Sequence, residues 1–148
     1  MQNNIIPHLY VRPPIDSSFI HVVSHTIRNI LKRIMNDVLR VLQNQLRLSE
    51  NEAVLFVYLI KNGSRTIDQI RTDLDCTSYE ADQSALALVD KGMIVQISKL
   101  SYMPLHPRFA IVNRYREKCR EDNIPFHRNA LIDSIGSRME KYFEHTNV

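Results

Sequence analysis

The sequence contains little of several residue types that mark particular classes of protein. Among its 148 residues there are two cysteines, three glycines and no tryptophan. Two cysteines are too few for a disulfide framework or a cysteine-based zinc site, so we expect a reduced, cytoplasmic protein without a bound metal. Three glycines leave no glycine-rich loop of the kind that cradles a phosphate group.

The sequence also has no long apolar run and no recognisable set of catalytic residues. The longest apolar run, Ala53 to Ile60, has eight residues, whereas a membrane span needs about 18. The start of the chain has no basic segment followed by an apolar one, which argues against a signal peptide. No Ser-His-Asp, Cys-His or paired-carboxylate arrangement is recognisable. We therefore predict a protein that is not an enzyme, carries no cofactor and does not enter a membrane.

Three similar helix starts lie between Leu48 and Pro107. In each one a Ser or Thr is followed three residues later by Glu or Gln: Ser49 by Glu52, Thr66 by Gln69, and Thr77 by Glu80. In such a capping box the hydroxyl accepts from the backbone N–H three residues on, and the longer side chain reaches back to the first residue. Each start precedes an apolar stripe, so the sequence predicts three consecutive helices.

A short β-ribbon is predicted after the third helix. Gly92 suits the left-handed position just past a helix end, and residues 93–97 and 102–105 are typical of two strands around a polar tip. Pro104 has no N–H to donate, so it must lie at an edge or at the end of a strand ladder. Three helices followed by a two-stranded wing is the order of a winged helix-turn-helix. The predicted fold class is therefore mainly α with this module inside it.

The second and third helices form the predicted helix-turn-helix. In a DNA-binding module of this kind the N-terminal half of the third helix enters the major groove, where Ser78, Tyr79 and Gln83 are candidates for contacts to bases. Lysine and arginine on the wing and on the helix flanks are candidates for contacts to phosphates. The full set of candidate DNA-binding residues is Arg65, Arg71, Thr77, Ser78, Tyr79, Gln83 and Lys99.

Three segments of the chain, LSENEAVLFVYLIKNGSRTIDQI, VDKGMIVQ and MPLHPRFAI, contain four short sequence signals. These are Leu48-Ser49, Gly63, Lys91-Gly92 and Pro107. They open the first helix, follow it, precede the wing and start the next helix. With these signals, residues 48 to about 115 resemble the DNA-binding domain of the TrmB-like archaeal transcription regulators. The resemblance implies a regulator that binds double-stranded DNA. The chain departs from that family at the third helix, which usually begins with a basic residue and here has Glu80 and Asp82.

The charge is unevenly distributed along the chain. Residues 17–48 contain five basic residues and one acid, and residues 91–128 contain eight basic residues and three acids. Residues 64–90, which hold the predicted helix-turn-helix, contain two basic residues and six acids. Since phosphate contacts dominate DNA affinity, we expect the wing and the flanks rather than the third helix to supply them.

Two helical segments flank the predicted module. Asp16 or Ser17 can cap a long helix to about Leu46, whose apolar residues are spaced by three and four, as in helices that pair with each other. A last helix, to about Phe143, has a second apolar face. We expect these helices to form a homodimer through Ile20, Val23, Ile27, Ile30, Ile34, Val38, Val41, Leu131, Ile135, Met139 and Tyr142. The other interpretation is that the long helix lies across the core of its own chain.

The predicted organisation therefore has four parts. An extended, proline-containing arm covers residues 1–15, the long helix 16–47, the winged helix-turn-helix 48–106 and the C-terminal helices 107–148. Two functions stay open: a homodimeric, sequence-specific transcription regulator that binds DNA, and a winged helix that binds another protein within a transcription or other assembly. The acidic third helix favours the second function, and the basic wing favours the first. Nothing in the sequence marks a site for a small-molecule effector.

Overall fold

A computed structural model describes residues 28–146, which are mainly helical with one small antiparallel sheet. The helices are α1 (Asn36–Leu46), α2 (Glu50–Asn62), α3 (Ile67–Leu74), α4 (Ser78–Asp90), α5 (Pro107–Glu121) and α6 (Ala130–Thr146). The strands are β1 (Arg65–Thr66), β2 (Ile94–Ser98) and β3 (Ser101–Pro104). None of the helices in this range is long and apolar enough to cross a membrane. The arm at 1–15 and the first part of the predicted long helix, with Ile20, Val23 and Ile27, lie outside the described residues.

The described part of the predicted long helix is interrupted at Met35. Residues 28–34 are helical, Met35 has φ −108° and ψ 21°, and α1 follows. Two backbone hydrogen bonds meet at the interruption: the N–H of Met35 donates to the carbonyl of Leu31 at 2.9 Å, and the N–H of Leu39 donates to the carbonyl of Met35 at 2.8 Å. The helix was expected to be uninterrupted, and no Gly or Pro marks the break in the sequence. The break is therefore a local distortion and not the end of the helix.

The three predicted capping boxes are all present. The hydroxyl of Ser49 accepts from the N–H of Glu52 at 3.1 Å, and the N–H of Ser49 donates to the Glu52 carboxylate at 3.3 Å. The same reciprocal pairs join Thr66 to Gln69 and Thr77 to Glu80. Each cap satisfies backbone donors that helix geometry leaves unpaired, which stabilises the helix by about 1 kcal/mol. The starts of α2, α3 and α4 are thus fixed by local sequence.

The sheet has three strands, in the order β1-β3-β2, where two were predicted. The added strand is β1, which pairs antiparallel with β3 through Arg65 opposite Tyr102 and Thr66 opposite Ser101. Two residues are too few to show the alternation by which a strand is recognised in sequence. The predicted end position of Pro104 is confirmed, because it pairs with Ile94 at the last rung of β3. Helices followed by this sheet form an arrangement compatible with a winged helix.

The core is built around α2. Residues 53–60 of this helix are all buried, and the helix packs against α1, α4 and α6 as well as β3. A helix that is apolar on every side must be covered on every side, and this requirement brings the flanking helices onto the helix-turn-helix. Pro107 occupies the first turn of α5, as predicted.

The α1 and α6 helices lie side by side in antiparallel directions. An ion pair joins Asp37 to Arg138, and Asn129 donates to the side chain of Gln45 at 3.3 Å near the other end. Between these contacts, Val38, Ile135 and Met139 are buried in the core of the chain. The prediction that these three residues face a second copy is corrected here, because side chains so fully covered have no surface left for a partner.

The remaining residues of the predicted dimer seam keep accessible surface. Ile30 and Ile34 are 39% and 57% exposed and Leu131 is 52% exposed, while Val41 and Tyr142 are partly buried. Large apolar side chains that a chain leaves uncovered are the ones available to a partner. The described residues of the predicted seam therefore divide into an intramolecular part and an accessible part.

Candidate nucleic-acid interface

The turn between α3 and α4 is built by three consecutive residues. Asp75 adopts the left-handed conformation, with φ 52°, and its N–H donates to the carbonyl of Arg71. Aspartate tolerates this conformation better than most residues. Cys76 follows, and Thr77 then caps α4. The turn is short, so the start of α4 is held directly beside the end of α3.

The outer face of α4 is accessible from its first turn onward. Ala81, Ala85 and Leu88 are buried against the core, which leaves the opposite side of the helix open. Ser78, Tyr79 and Gln83, the predicted base-contacting residues, are all exposed on α4, and Tyr79 is 72% exposed. The structure therefore brings these three candidates together on one accessible helix.

Thr77 has a structural role at the same place. Its hydroxyl accepts from the N–H of Glu80 at 3.1 Å, and its own N–H donates to the Glu80 carboxylate at 2.9 Å. The hydrogen bond from the N–H of Thr77 holds the pKa of Glu80 below its ordinary value, because it favours the charged carboxylate. Thr77 thus positions the start of α4, and the carboxylate of Glu80 is part of the cap.

The candidate phosphate-binding cations differ in their surroundings. Arg65 is partly buried and donates to the carbonyl of Ser64 at 2.7 Å. Arg71 is exposed and lies 3.3 Å from the carboxylate of Asp68, which offsets part of its charge. Strands β2 and β3 form a hairpin, which we call the β2–β3 hairpin. Lys99 is exposed in its two-residue turn and forms no ion pair with any residue between 28 and 146. Among the three, Lys99 is therefore the cation that is both exposed and without an ion pair to the described residues.

Some of the acidic charge of this region is used inside the fold. The hydroxyl of Tyr58 donates to the carboxylate of Asp73. The pKa of Tyr58 is raised, mainly because the hydroxyl is partly buried and also because it donates this hydrogen bond. Asp73 and Glu80 thus have structural partners, whereas Asp82 and Asp90 are exposed on α4. Hydrogen bonds from neutral donors favour the charged carboxylates, so the acidic excess counted in the sequence remains beside α4.

Arg28 is a residue of this region that the sequence did not reveal. Its guanidinium donates to the carbonyl of Leu74 at 3.2 Å and to the side chain of Asn51. It lies near enough to help keep Glu80 ionised. The contact to Leu74 spans 46 residues, and no local pattern signals a pair so distant. A cation from the preceding helix therefore stands at the turn before α4.

No protein-family model, no curated protein and no solved structure matches the chain. The functional interpretation therefore depends on two features of the described residues. One is the accessible start of α4, and the other is the exposed Lys99 at the tip of the β2–β3 hairpin.

Proposed function

We propose that the chain is a winged helix-turn-helix transcription regulator that binds double-stranded DNA in a sequence-specific manner as a homodimer. The observation that carries this proposal is the pairing of a short α3–turn–α4 unit with an adjacent antiparallel hairpin. The exposed N-terminal half of α4 fits the major groove, as in other helix-turn-helix modules. The β2–β3 hairpin is the wing in this proposal.

Base contacts are assigned to the exposed polar side chains of α4. A glutamine can form two hydrogen bonds with the N6 and N7 edge of adenine, so Gln83 is the residue that we expect to select a base. Ser78 and Tyr79 lie earlier on the same helix and supply further hydrogen-bonding groups. Phosphate contacts fall to Arg65, Arg71 and Lys99, and these give affinity without sequence preference.

The homodimer is assigned to the accessible part of the predicted seam. Ile30 and Ile34 are one helical turn apart on residues 28–34, and Leu131 lies near the start of α6. Burying large apolar side chains such as these contributes roughly 1.5–3 kcal/mol each. A dimer with two-fold symmetry would place two copies of α4 on half-sites about one DNA turn apart.

The experiment that tests DNA binding is a salt titration with a random-sequence duplex, accompanied by a measurement of molar mass. A DNA-binding protein should bind tightly at about 50 mM salt and lose affinity steeply as salt rises. Lys99→Glu with Arg65→Glu should weaken binding to every sequence, while Gln83→Ala should change sequence preference and keep the salt dependence. No binding at low salt would contradict the proposal.

The dimer has a separate test. Ile34→Asp should give a monomer in a molar-mass measurement, because it places a charge in the proposed seam. Phe109→Asp is a matched control, since Phe109 is equally exposed, at 58%, but lies on α5. A dimer that survives Ile34→Asp, or one that Phe109→Asp also abolishes, would contradict the assigned seam.

A second function is favoured by the exposed apolar side chains of α4 and of the β2–β3 hairpin. Tyr79 and Leu86 on α4, together with Ile97, Leu100 and Met103 on the hairpin, are large and exposed. Apolar groups beside acids such as Asp82 suit a protein partner with basic and apolar residues better than they suit phosphates. The salt titration separates the two functions, because only the DNA-binding protein should associate with a random duplex at low salt.

A further inference from the structure

The outer side of residues 28–46 carries alternating amide and guanidinium side chains. Asn29, Arg33, Asn36 and Arg40 recur at steps of four, three and four, and all four are exposed. Such spacing places them along one side of a helix. We call this set the Asn/Arg stripe. It lies opposite the buried side that holds Val38 and Leu42.

The other basic residues of this segment, and Arg47 directly after it, are already engaged within the chain. Arg28 donates to Leu74 and Asn51, Lys32 lies 3.1 Å from Glu50, and Arg47 pairs with Asp122. Arg33 and Arg40, in contrast, form no ion pair with any residue that the structure describes. Two arginines that the fold does not use are therefore left on one accessible surface.

Acids are absent from the stripe itself. Two acids close to the stripe are paired with cations: Asp37 with Arg138 of α6, and Glu50 with Lys32. Asp37 is one helical turn from both Arg33 and Arg40, but its pairing with Arg138 offsets its charge, so both arginines can still attract an anion. The two asparagines of the stripe can donate hydrogen bonds to phosphate oxygens, as Asn does in protein–DNA complexes.

The stripe begins beside the proposed DNA-binding unit. Arg28 fixes the start of residues 28–34 to the end of α3. Arg33 is five residues further on, about 8 Å along the helix axis, and Arg40 is about 10 Å beyond Arg33. A separation of about 10 Å corresponds to roughly three base pairs. The spacing of the two arginines therefore matches phosphates along a duplex that extends past the α3–α4 unit.

We infer that the Asn/Arg stripe is a second contact surface for the DNA backbone, which holds the phosphates that flank the site contacted by α4. The inference rests on the proposed function and extends it to a surface on which the sequence placed no DNA contact. It also accounts for how a protein with an acidic α4 obtains phosphate affinity. Ile30 and Ile34 lie beside the stripe, so the same helix can serve the dimer and the DNA on different sides.

The test compares two double variants that remove equal charge. Arg33→Ala with Arg40→Ala takes two arginines from the stripe, and Arg116→Ala with Arg120→Ala takes two exposed arginines from α5. Binding of each full-length protein to a long random-sequence duplex is measured over a range of salt. The stripe variant should lower the slope of log affinity against log salt by about one for each arginine in each protomer. The α5 variant should keep the wild-type slope, and both variants should keep the wild-type melting temperature.

The outcomes separate the stripe from the function on which it rests. If the wild type does not bind the duplex, the proposed function fails and the inference fails with it. If the wild type binds and the two variants have the same slope of log affinity against log salt, the inference about the stripe is overturned while the proposed function stands. Phosphatidylserine vesicles serve as a second anionic probe. Loss of vesicle binding with unchanged DNA binding in the stripe variant would assign the surface to a membrane and would also overturn the inference.

Discussion

Arg28 donates a hydrogen bond to the backbone carbonyl of Leu74 across 3.2 Å, and this bond ties the helix that precedes the core to the last residue of α3. The same guanidinium donates to Asn51 in the first turn of α2. One side chain thus connects three helices at the turn that positions α4. An arginine suits this role because its planar group carries several donors in fixed directions.

Removing this connection should loosen the α3–α4 turn. We expect Arg28→Gln to lower the free energy of unfolding by about 1–2 kcal/mol, because a partly buried carbonyl loses a charged donor. Urea denaturation measures this loss, and amide exchange should quicken at residues 74–80. Arg33→Gln is the matched control and should change stability by less than about 0.5 kcal/mol. Equal effects of the two substitutions would show that the contact to Leu74 contributes nothing specific.

Two glycines should respond to alanine in opposite directions. Gly63 has φ 81° and ψ −159°, and an added Cβ would lie 3.1 Å from Cγ2 of Thr146. Gly136 lies inside α6, where an added Cβ would meet Cγ of Arg108 at an ordinary 3.6 Å. We expect Gly63→Ala to destabilise by about 1–3 kcal/mol through strain and Gly136→Ala to stabilise by up to about 1 kcal/mol through helix propensity. Thermal melts of both variants check the signs, and a stabilising Gly63→Ala would contradict the assigned backbone conformation.

The parts of the fold that depend on near neighbours in the chain could be predicted, and the parts that depend on distant ones could not. The three capping boxes join residues three apart, so the sequence displayed them directly. Strand β1 has two residues and exists only because β3 lies beside it. Periodicity marked Val38 and Met139 as apolar, but it could not say whether their own chain or a second chain would cover them.

The same limit applies to the candidate site. The exposure of Tyr79 and Gln83 followed from the apolar spacing of α4, which places them away from the buried side. Arg28 was missed because its partner Leu74 is 46 residues away. Counting charges along the sequence also could not show that Asp73 has a structural role, as the acceptor of a hydrogen bond from Tyr58.

A buried arginine joins the end of α1 to α5. Nε of Arg114 donates to the carbonyl of Leu46 at 3.0 Å, and its Nη1 lies 3.1 Å from the carboxylate of Glu121. We expect Arg114→Met to lower the free energy of unfolding by about 2–4 kcal/mol, because the buried carbonyl loses its donor. Arg120→Met, at an exposed position of the same helix, should cost less than about 1 kcal/mol. Urea denaturation of the two variants decides the matter, and similar losses would mean that Arg114 acts only as a surface charge.

The cap of α4 should make stability depend on pH in a predictable direction. Hydrogen bonds from Thr77 hold the pKa of Glu80 below its ordinary value in the folded chain. A carboxyl group with a lowered folded pKa contributes stability above its unfolded pKa, which is about 4.3 for glutamate, and that contribution is lost as pH falls through the folded value. We therefore expect the stability advantage of the wild type over Glu80→Gln to be constant above about pH 5.5 and to shrink at lower pH.

Urea midpoints of the two proteins, measured from neutral to acidic pH, give this difference directly. Thr77→Ala provides the internal check, because it removes the hydroxyl that accepts from the Glu80 N–H and weakens the cap that holds the carboxylate. In that background, Glu80→Gln should have a smaller effect on stability, and the effect should vary less with pH. A difference between wild type and Glu80→Gln that grows as the solution is acidified would have the wrong sign for a lowered pKa. It would show that the carboxylate of Glu80 does not cap α4 in its charged form.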